Sequence, residues 1–171
     1  MNRLIKRAQE KDADAFVTLM KMHEPALYRV AKGYFKSEED VADVLQETIL
    51  ACFEKISTLK EPRYFKTWLI RILINKCNDL IGSRKRYADE TEFVDSGYVD
   101  SGPDNVDFML FMDELDEKYR LVLLLYYAEG FRVREISEMT GLSVDTVKGR
   151  LKRGRQRVKK KYEAFSKEAL I

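Results

Sequence analysis

The sequence predicts an all-α protein: two small helical domains joined by a flexible acidic linker. Three observations predict it. Apolar residues recur at spacings of three and four through almost every segment, and nowhere do they alternate as a strand would. Residues 87–105 lose that period and carry Ser96-Gly97, Ser101-Gly102 and Pro103, the chemistry of a linker. Toward the C-terminus a short helix, a glycine turn and a second helix follow one another in helix-turn-helix order. The expected organisation is a first domain at 1–86, a linker at 87–105 and a second domain at 106–171.

Each element has a local reason. Asp12 can cap a helix that buries Ala15, Phe16, Leu19 and Met20 and runs on to Leu27, Val30, Ala31 and Tyr34. Pro25 should kink or restart it, because proline lacks the donor that a helix interior needs. Ser37-Glu38-Glu39-Asp40 resembles a capping box. The helix after it carries one apolar stripe, Val41, Val44/Leu45, Ile49, Cys52/Phe53 and Ile56. Residues 57–63, with Pro62, break it. A further helix starts near Tyr64, buries Phe65, Trp68, Leu69, Ile72, Leu73, Cys77 and Leu80, and ends at or just after Gly82. In the second domain, helices are expected at 106–115, 116–128 and 133–140, with Leu121, Leu124, Leu125 and Tyr126 available for a core. Gly141-Leu142 turns the chain, and Ser143 caps a last helix with Val144, Val147, Leu151 and Val158 inward.

Composition excludes several functions. At 171 residues and 45% hydrophobic, the chain can bury a core. No apolar run approaches the roughly 18 residues of a membrane span, and no signal peptide opens the chain, so a cytoplasmic protein is expected. Cys52 and Cys77 are far apart and sit on apolar helix faces, as buried small hydrophobes do. His23 is the only histidine, which rules out a two-histidine metal site. Neither a phosphate-binding glycine loop nor a dinucleotide fingerprint is present. The reading is a non-enzymatic protein with no metal and no cofactor.

Charge is balanced overall, 31 Lys+Arg against 29 Asp+Glu, yet segregated. From Tyr87 to Glu117 there is no Lys or Arg; from Lys148 to Lys161 there is no acid. Such blocks usually meet an opposite partner, although bases near a helix C-terminus also suit its dipole. In the helix-turn-helix, Asp145, Thr146, Lys148, Gly149, Lys152 and Arg153 fall on the outer face. There Lys152 and Arg153 can reach guanine acceptors while Lys148 and Arg150 clamp phosphates. Gly149, costly inside a helix, allows close approach to a DNA backbone, or is a neutral surface residue.

Two clusters mark the first domain. Asp40, Asp43 and Glu47, with Gln46 beside them, form an acidic ridge that repels itself and suits a basic partner. The helix dipole favours the same acids. The stretch from Arg63, Tyr64, Phe65, Lys66 and Trp68 through Arg71, Asn75, Asn78 and Asp79 to Arg84, Lys85 and Arg86 interleaves aromatics, amides and cations, a mixture suited to single-stranded DNA. Core packing is the alternative for Phe65 and the favoured one for Trp68.

At these residues the sequence resembles an extracytoplasmic-function sigma factor of the sigma-70 family. The resemblance rests on Asp14-Ala15-Phe16, Glu39-Asp40-Val41 with Gln46-Glu47, Phe65-Lys66-Thr67-Trp68-Leu69 with Arg71-Ile72 and Asn75, Asp116 to Arg120, Glu135-Ile136 and Thr146 to Leu151, in the family's order. It implies sigma regions 2 and 4 at 1–86 and 106–171. It also implies an alternative sigma factor that binds core RNA polymerase through its clamp helices and flap, recognises promoter DNA as duplex and melted strand, and meets an anti-sigma factor. By position, Asp40, Asp43, Gln46 and Glu47 would hold the clamp helices. Residues 59–67 would form a loop capturing a flipped −10 base, with Tyr64, Phe65, Lys66, Arg71, Asn75 and Asn78 at that element. Thr146, Lys148, Gly149, Arg150, Lys152 and Arg153 would read the −35 element. Asp116 stands where the family usually has Pro, and Gly149 where it often has Ser. A helix-turn-helix regulator with a sensing or dimerising domain is the competing reading; an enzyme is the third.

Overall fold

The computed structural model describes residues 1–88, 112 and 115–168. The helix expected at 106–115 and the linker at 87–105 fall almost wholly outside them. The chain divides into two compact units, and no strand occurs among the described residues.

Unit 1 is a helical bundle. It opens with α1 (Asn2–Gln9), an element the periodicity did not predict: only Ile5 and Ala8 of it are buried, too few to establish a period. After a corner comes α2 (Ala13–Tyr34). Asp12 caps it, its Oδ1 accepting the Ala15 N–H at 3.0 Å. That bond, with the Arg7 guanidinium, holds the Asp12 carboxyl below its usual range. Contrary to expectation, α2 runs through Pro25 without restarting. Pro25 and Lys21 are both exposed, so water can satisfy the carbonyl that the missing N–H leaves. The buried Leu19, Met20, Ala26 and Leu27 keep the helix against the core on either side.

Next comes α3 (Glu38–Lys55). Ser37 Oγ accepts the Asp40 N–H at 3.4 Å, but the Asp40 carboxylate turns away to Arg84, so only half of the capping box forms. The buried stripe of α3 is Val41, Val44, Thr48, Ala51 and Cys52. Ile49 and Phe53, expected in the core, are 38% and 40% exposed. The helix carries apolar residues on two faces, and the second is only partly covered within the unit, Phe53 by the Phe16 ring at 5.1 Å. Burial pushes the Cys52 S–H up to about 12. Two 3₁₀ turns (Ile56–Thr58 and Pro62–Tyr64) lead into α4 (Phe65–Ala88). The expected stop at Gly82 does not occur. Ser83 donates to the Leu80 carbonyl at 2.8 Å, and Arg84 beyond it is anchored to Asp40, which together hold the last turns helical. Asp40 meets Arg84 and Glu47 meets Lys76, so α3 and α4 run antiparallel. The core lies where Leu19, Val30, Ile56, Leu69, Leu73, Ile74 and Cys77 converge, all with essentially no exposure.

Unit 2 packs α5 (Glu117–Leu123), a π-helical turn (Leu124–Ala128), α6 (Val133–Thr140) and α7 (Val144–Glu168). Every residue from Tyr119 to Leu125 is buried, so α5 is surrounded. The π turn, with the Glu129 N–H donating to the Leu124 carbonyl at 3.0 Å, widens the helix. It rotates Tyr126, expected in the core, outward to 39% exposure. Between α6 and α7 Gly141 adopts φ 72°, which glycine alone takes without strain. Ser137 Oγ donates to the Leu142 carbonyl at 2.6 Å, and Ser143 Oγ accepts the Thr146 N–H at 3.1 Å to start α7. Ile136, Met139, Val147 and Leu151 are buried, which fixes the two helices against each other. Gly154 lies where α7 crosses α5: a Cβ there would sit 2.9 Å from Leu123 Cδ1.

Candidate functional site

Within unit 1 the acidic ridge on α3 is partly neutralised by α4. Arg84 makes a two-pronged pair with Asp40, one contact at 2.7 Å, and this raises the Arg84 pKa, with Asp43 and Glu39 adding to the effect. Lys76 Nζ lies 3.1 Å from Glu47. Asp43, Gln46 and Glu47 are all exposed, and of the three acids Asp40, Asp43 and Glu47 only Asp43 lacks a salt bridge to α4. Gln46 also lines a groove of about 670 Å³ between α2 and α3, with Val17, Met20, Leu45, Ile49, Leu50 and Phe53. Leu50 is 53% exposed and Val17 49%. The polar residues singled out from sequence missed this apolar floor. Its signal was present: α3 carries Leu45, Ile49, Leu50 and Phe53 beyond what a single core stripe can bury.

The other candidate surface of unit 1 begins at the two 3₁₀ turns. Tyr64 is 50% exposed, and the Arg63 guanidinium lies over its ring at 4.8 Å from the centroid. Phe65 is placed differently from the expectation. Its ring is buried, edge-on to His23 at 5.1 Å, so it braces the loop from below and offers no face to a strand. Trp68 is half-buried, with its ring 6.0 Å from that of Phe65, and Lys66 is half-buried. Arg71, Asn75 and Asn78 are all exposed, at steps of four and three that put them on one stripe of α4.

In unit 2 the basic block divides. Lys148, Lys152 and Arg153 are exposed on the outer face of α7. Gly149 shares that face, and the Arg153 guanidinium lies back over it, 3.3 Å from where a Cβ would be. Thr146 and Arg150 are half-buried at its edges, and the Thr146 hydroxyl is bonded to Ser143 Oγ at 2.8 Å. Arg155 and Arg157 turn toward the body of the unit. Arg155 reaches the Tyr127 hydroxyl at 3.5 Å; Arg157 pairs with Asp116 at 2.8 Å and covers the Tyr119 ring at 4.6 Å. The carboxylate at 116 therefore ties α5 to α7. No group of acids, histidines and cysteines fit to hold a metal occurs among the described residues.

Comparison with known proteins matches the two units separately. The family model for Sigma-70 region 2 matches residues 19–87, and that for Sigma-70, region 4 matches residues 106–158. The RNA polymerase sigma factor SigV of Bacillus subtilis is 33% identical over 141 residues, covering 80% of this chain and 84% of that protein. Among solved structures, CnrH in complex with the cytosolic domain of CnrY is 27% identical with a TM-score of 0.66, over 95% of this chain and 97% of that one. The sigma factor RpoE in complex with the anti-sigma factor NepR, from Bartonella quintana, shares the fold at a TM-score of 0.74 and 23% identity, over 85% and 94% of the two chains.

Proposed function

The chain belongs to the sigma-70 family, with the two-region plan of its extracytoplasmic-function members, and from that premise we propose how its surfaces divide the work of starting transcription. It is an alternative sigma factor: it binds core RNA polymerase, recognises promoter DNA and promotes strand opening, and it is not itself an enzyme. We assign region 2 to 1–86, the linker to 87–105 and region 4 to 106–171. Asp43, Gln46 and the apolar groove beside them meet the clamp helices of the polymerase, with Asp40 and Glu47 flanking. The loop at 59–67 takes an unpaired −10 base. Tyr64 and Arg63 supply a stacking surface there, and Arg71, Asn75 and Asn78 follow the strand along α4. Lys148, Lys152 and Arg153 read the −35 duplex across Gly149, with Thr146 and Arg150 at the margin. Binding melted DNA better than paired DNA shifts the equilibrium toward opening.

One observation supports this reading most: a helix-turn-helix with an outward basic face shares the chain with a bundle whose polar stripe suits unpaired bases. A duplex-binding regulator explains only the first. No helix among the described residues is long and apolar enough to cross a membrane, and the protein is proposed to act in the cytoplasm. An anti-sigma factor is a further expected partner; RpoE of Bartonella quintana is found in complex with one, NepR. Transcription in vitro with core polymerase and a promoter library tests the whole; start-site selection must require both this chain and core, and duplex binding without core, with no directed start, contradicts it.

Two variants test the DNA surfaces. Arg153→Ala should weaken −35 recognition by about 1–3 kcal/mol, read as transcription across −35 variants; an unchanged preference removes Arg153 from that role. Asn75→Ala should slow opening while leaving duplex binding intact. Permanganate footprinting at the start site reports it, and normal reactivity counts against the stripe.

A further inference from the structure

The corner between α1 and α2 reaches the far end of α3 and the loop that follows. α1 packs against both 3₁₀ turns as well as α2. The half-buried Gln9 carboxamide nitrogen donates to two backbone carbonyls, Leu59 at 2.7 Å and Ile56 at 3.1 Å. These carbonyls flank the turn where the chain leaves α3, at the end of a helix whose last acceptors lack intrahelical partners. Two residues on, Lys11 is held at φ 67°, a left-handed conformation that side-chain-bearing residues avoid. From there its Nζ donates to the Phe53 carbonyl at 3.2 Å and lies 4.9 Å from the centre of the Phe53 ring. The corner is itself braced: Asp12 caps α2 and pairs with Arg7 at 2.6 Å. Three side-chain bonds thus run from one rigid corner to the exit of α3.

We propose that Gln9, supported by Lys11, is a positioning residue for the base-capturing loop: it fixes the exit of α3 so that Lys60, Arg63 and Tyr64 stand ready before DNA arrives. The inference rests on the reading of 59–67 as that loop. Pre-ordering lowers the entropy that the loop must lose on binding, so losing it reduces affinity for unpaired DNA and blurs base choice. Gln9 is not among the residues lining the polymerase groove, whereas the Lys11 tie ends on Phe53, which is.

The test uses the full chain in holoenzyme and a single-stranded −10 oligonucleotide. Gln9→Glu keeps the shape and removes the donors. It should lower affinity for the oligonucleotide about tenfold, the size expected from two modest hydrogen bonds, and flatten discrimination at the captured base. Gln9→Lys, which restores donors, should recover most of both. Core binding and −35 duplex binding should not change in the Gln9 variants, whose side chain does not line the groove. Lys11→Gly relieves the left-handed backbone and removes only the Phe53 tie, so it folds even if Gln9→Glu does not; it should give a smaller loss of the same kind. Unchanged oligonucleotide binding in both variants overturns the inference, as does a parallel loss of core, −35 and −10 binding. Tyr64→Ala separates the two levels. If it keeps full oligonucleotide affinity, the loop assignment fails; if it loses affinity while Gln9→Glu and Lys11→Gly do not, only the role of the corner fails.

Discussion

Asp43→Arg is expected to cut affinity for core RNA polymerase by more than about tenfold, because bringing like charges together across an interface costs several kcal/mol. Of the ridge acids, Asp40 is engaged by Arg84 and Glu47 by Lys76, whereas Asp43 is exposed and makes neither pair. Reversing its sign confronts a basic partner and adds a second cation near Arg84. The side chain is outside the core, so the fold should persist and the melting temperature should scarcely move. Leu50→Asp probes the apolar half of the same surface. Leu50 is more than half exposed on the groove, and a charge there must be desolvated on docking. Pull-down with core polymerase reads both; an unaltered yield from Asp43→Arg removes the ridge from the interface.

Gly154→Val should destabilise unit 2 by about 1–3 kcal/mol through overpacking, with loss of −35 binding at growth temperature. A Cβ at 154 meets Leu123 Cδ1 at 2.9 Å, Leu123 Cγ at 3.2 Å and the Tyr119 Cβ at 3.4 Å. Leu123 has no room to retreat, being 1% exposed inside the surrounded α5. Gly154→Ala sets the same contact against the roughly 1 kcal/mol that alanine gains over glycine in a helix, so its effect should be much smaller. Thermal unfolding followed by circular dichroism distinguishes them, and a valine variant melting with the parent would show that α5 and α7 can part without cost.

Helix identities were legible because their signals are local. Asp12, Ser37 and Ser143 each accept an N–H at a helix start, and Gly141 supplies the left-handed turn of the helix-turn-helix. Failures came where tertiary contacts decide. α1 buries only two residues of its own, and its role depends on distant carbonyls. Gly82 did not end α4, since Arg84 beyond it is held by a residue 44 positions earlier. Phe53 and Ile49 looked like core because hydrophobicity alone does not separate centre from rim: Phe53 meets the Phe16 ring at 5.1 Å yet stays 40% exposed. The candidate site was readable as residue types at helical spacing. Which of Asp40, Asp43 and Glu47 would stay unpaired, and which bases of the C-terminal block would turn inward, depended on partners the spacing does not name.

The two thiols carry a consequence for how this protein meets reactive small molecules. Both cysteines have no exposure, and Cys52 keeps its proton far above neutrality. Peroxides and alkylating agents therefore meet no accessible thiol on the folded chain. A thiol reagent reaches either cysteine only when the helical core of unit 1 opens, so its rate of labelling measures that opening.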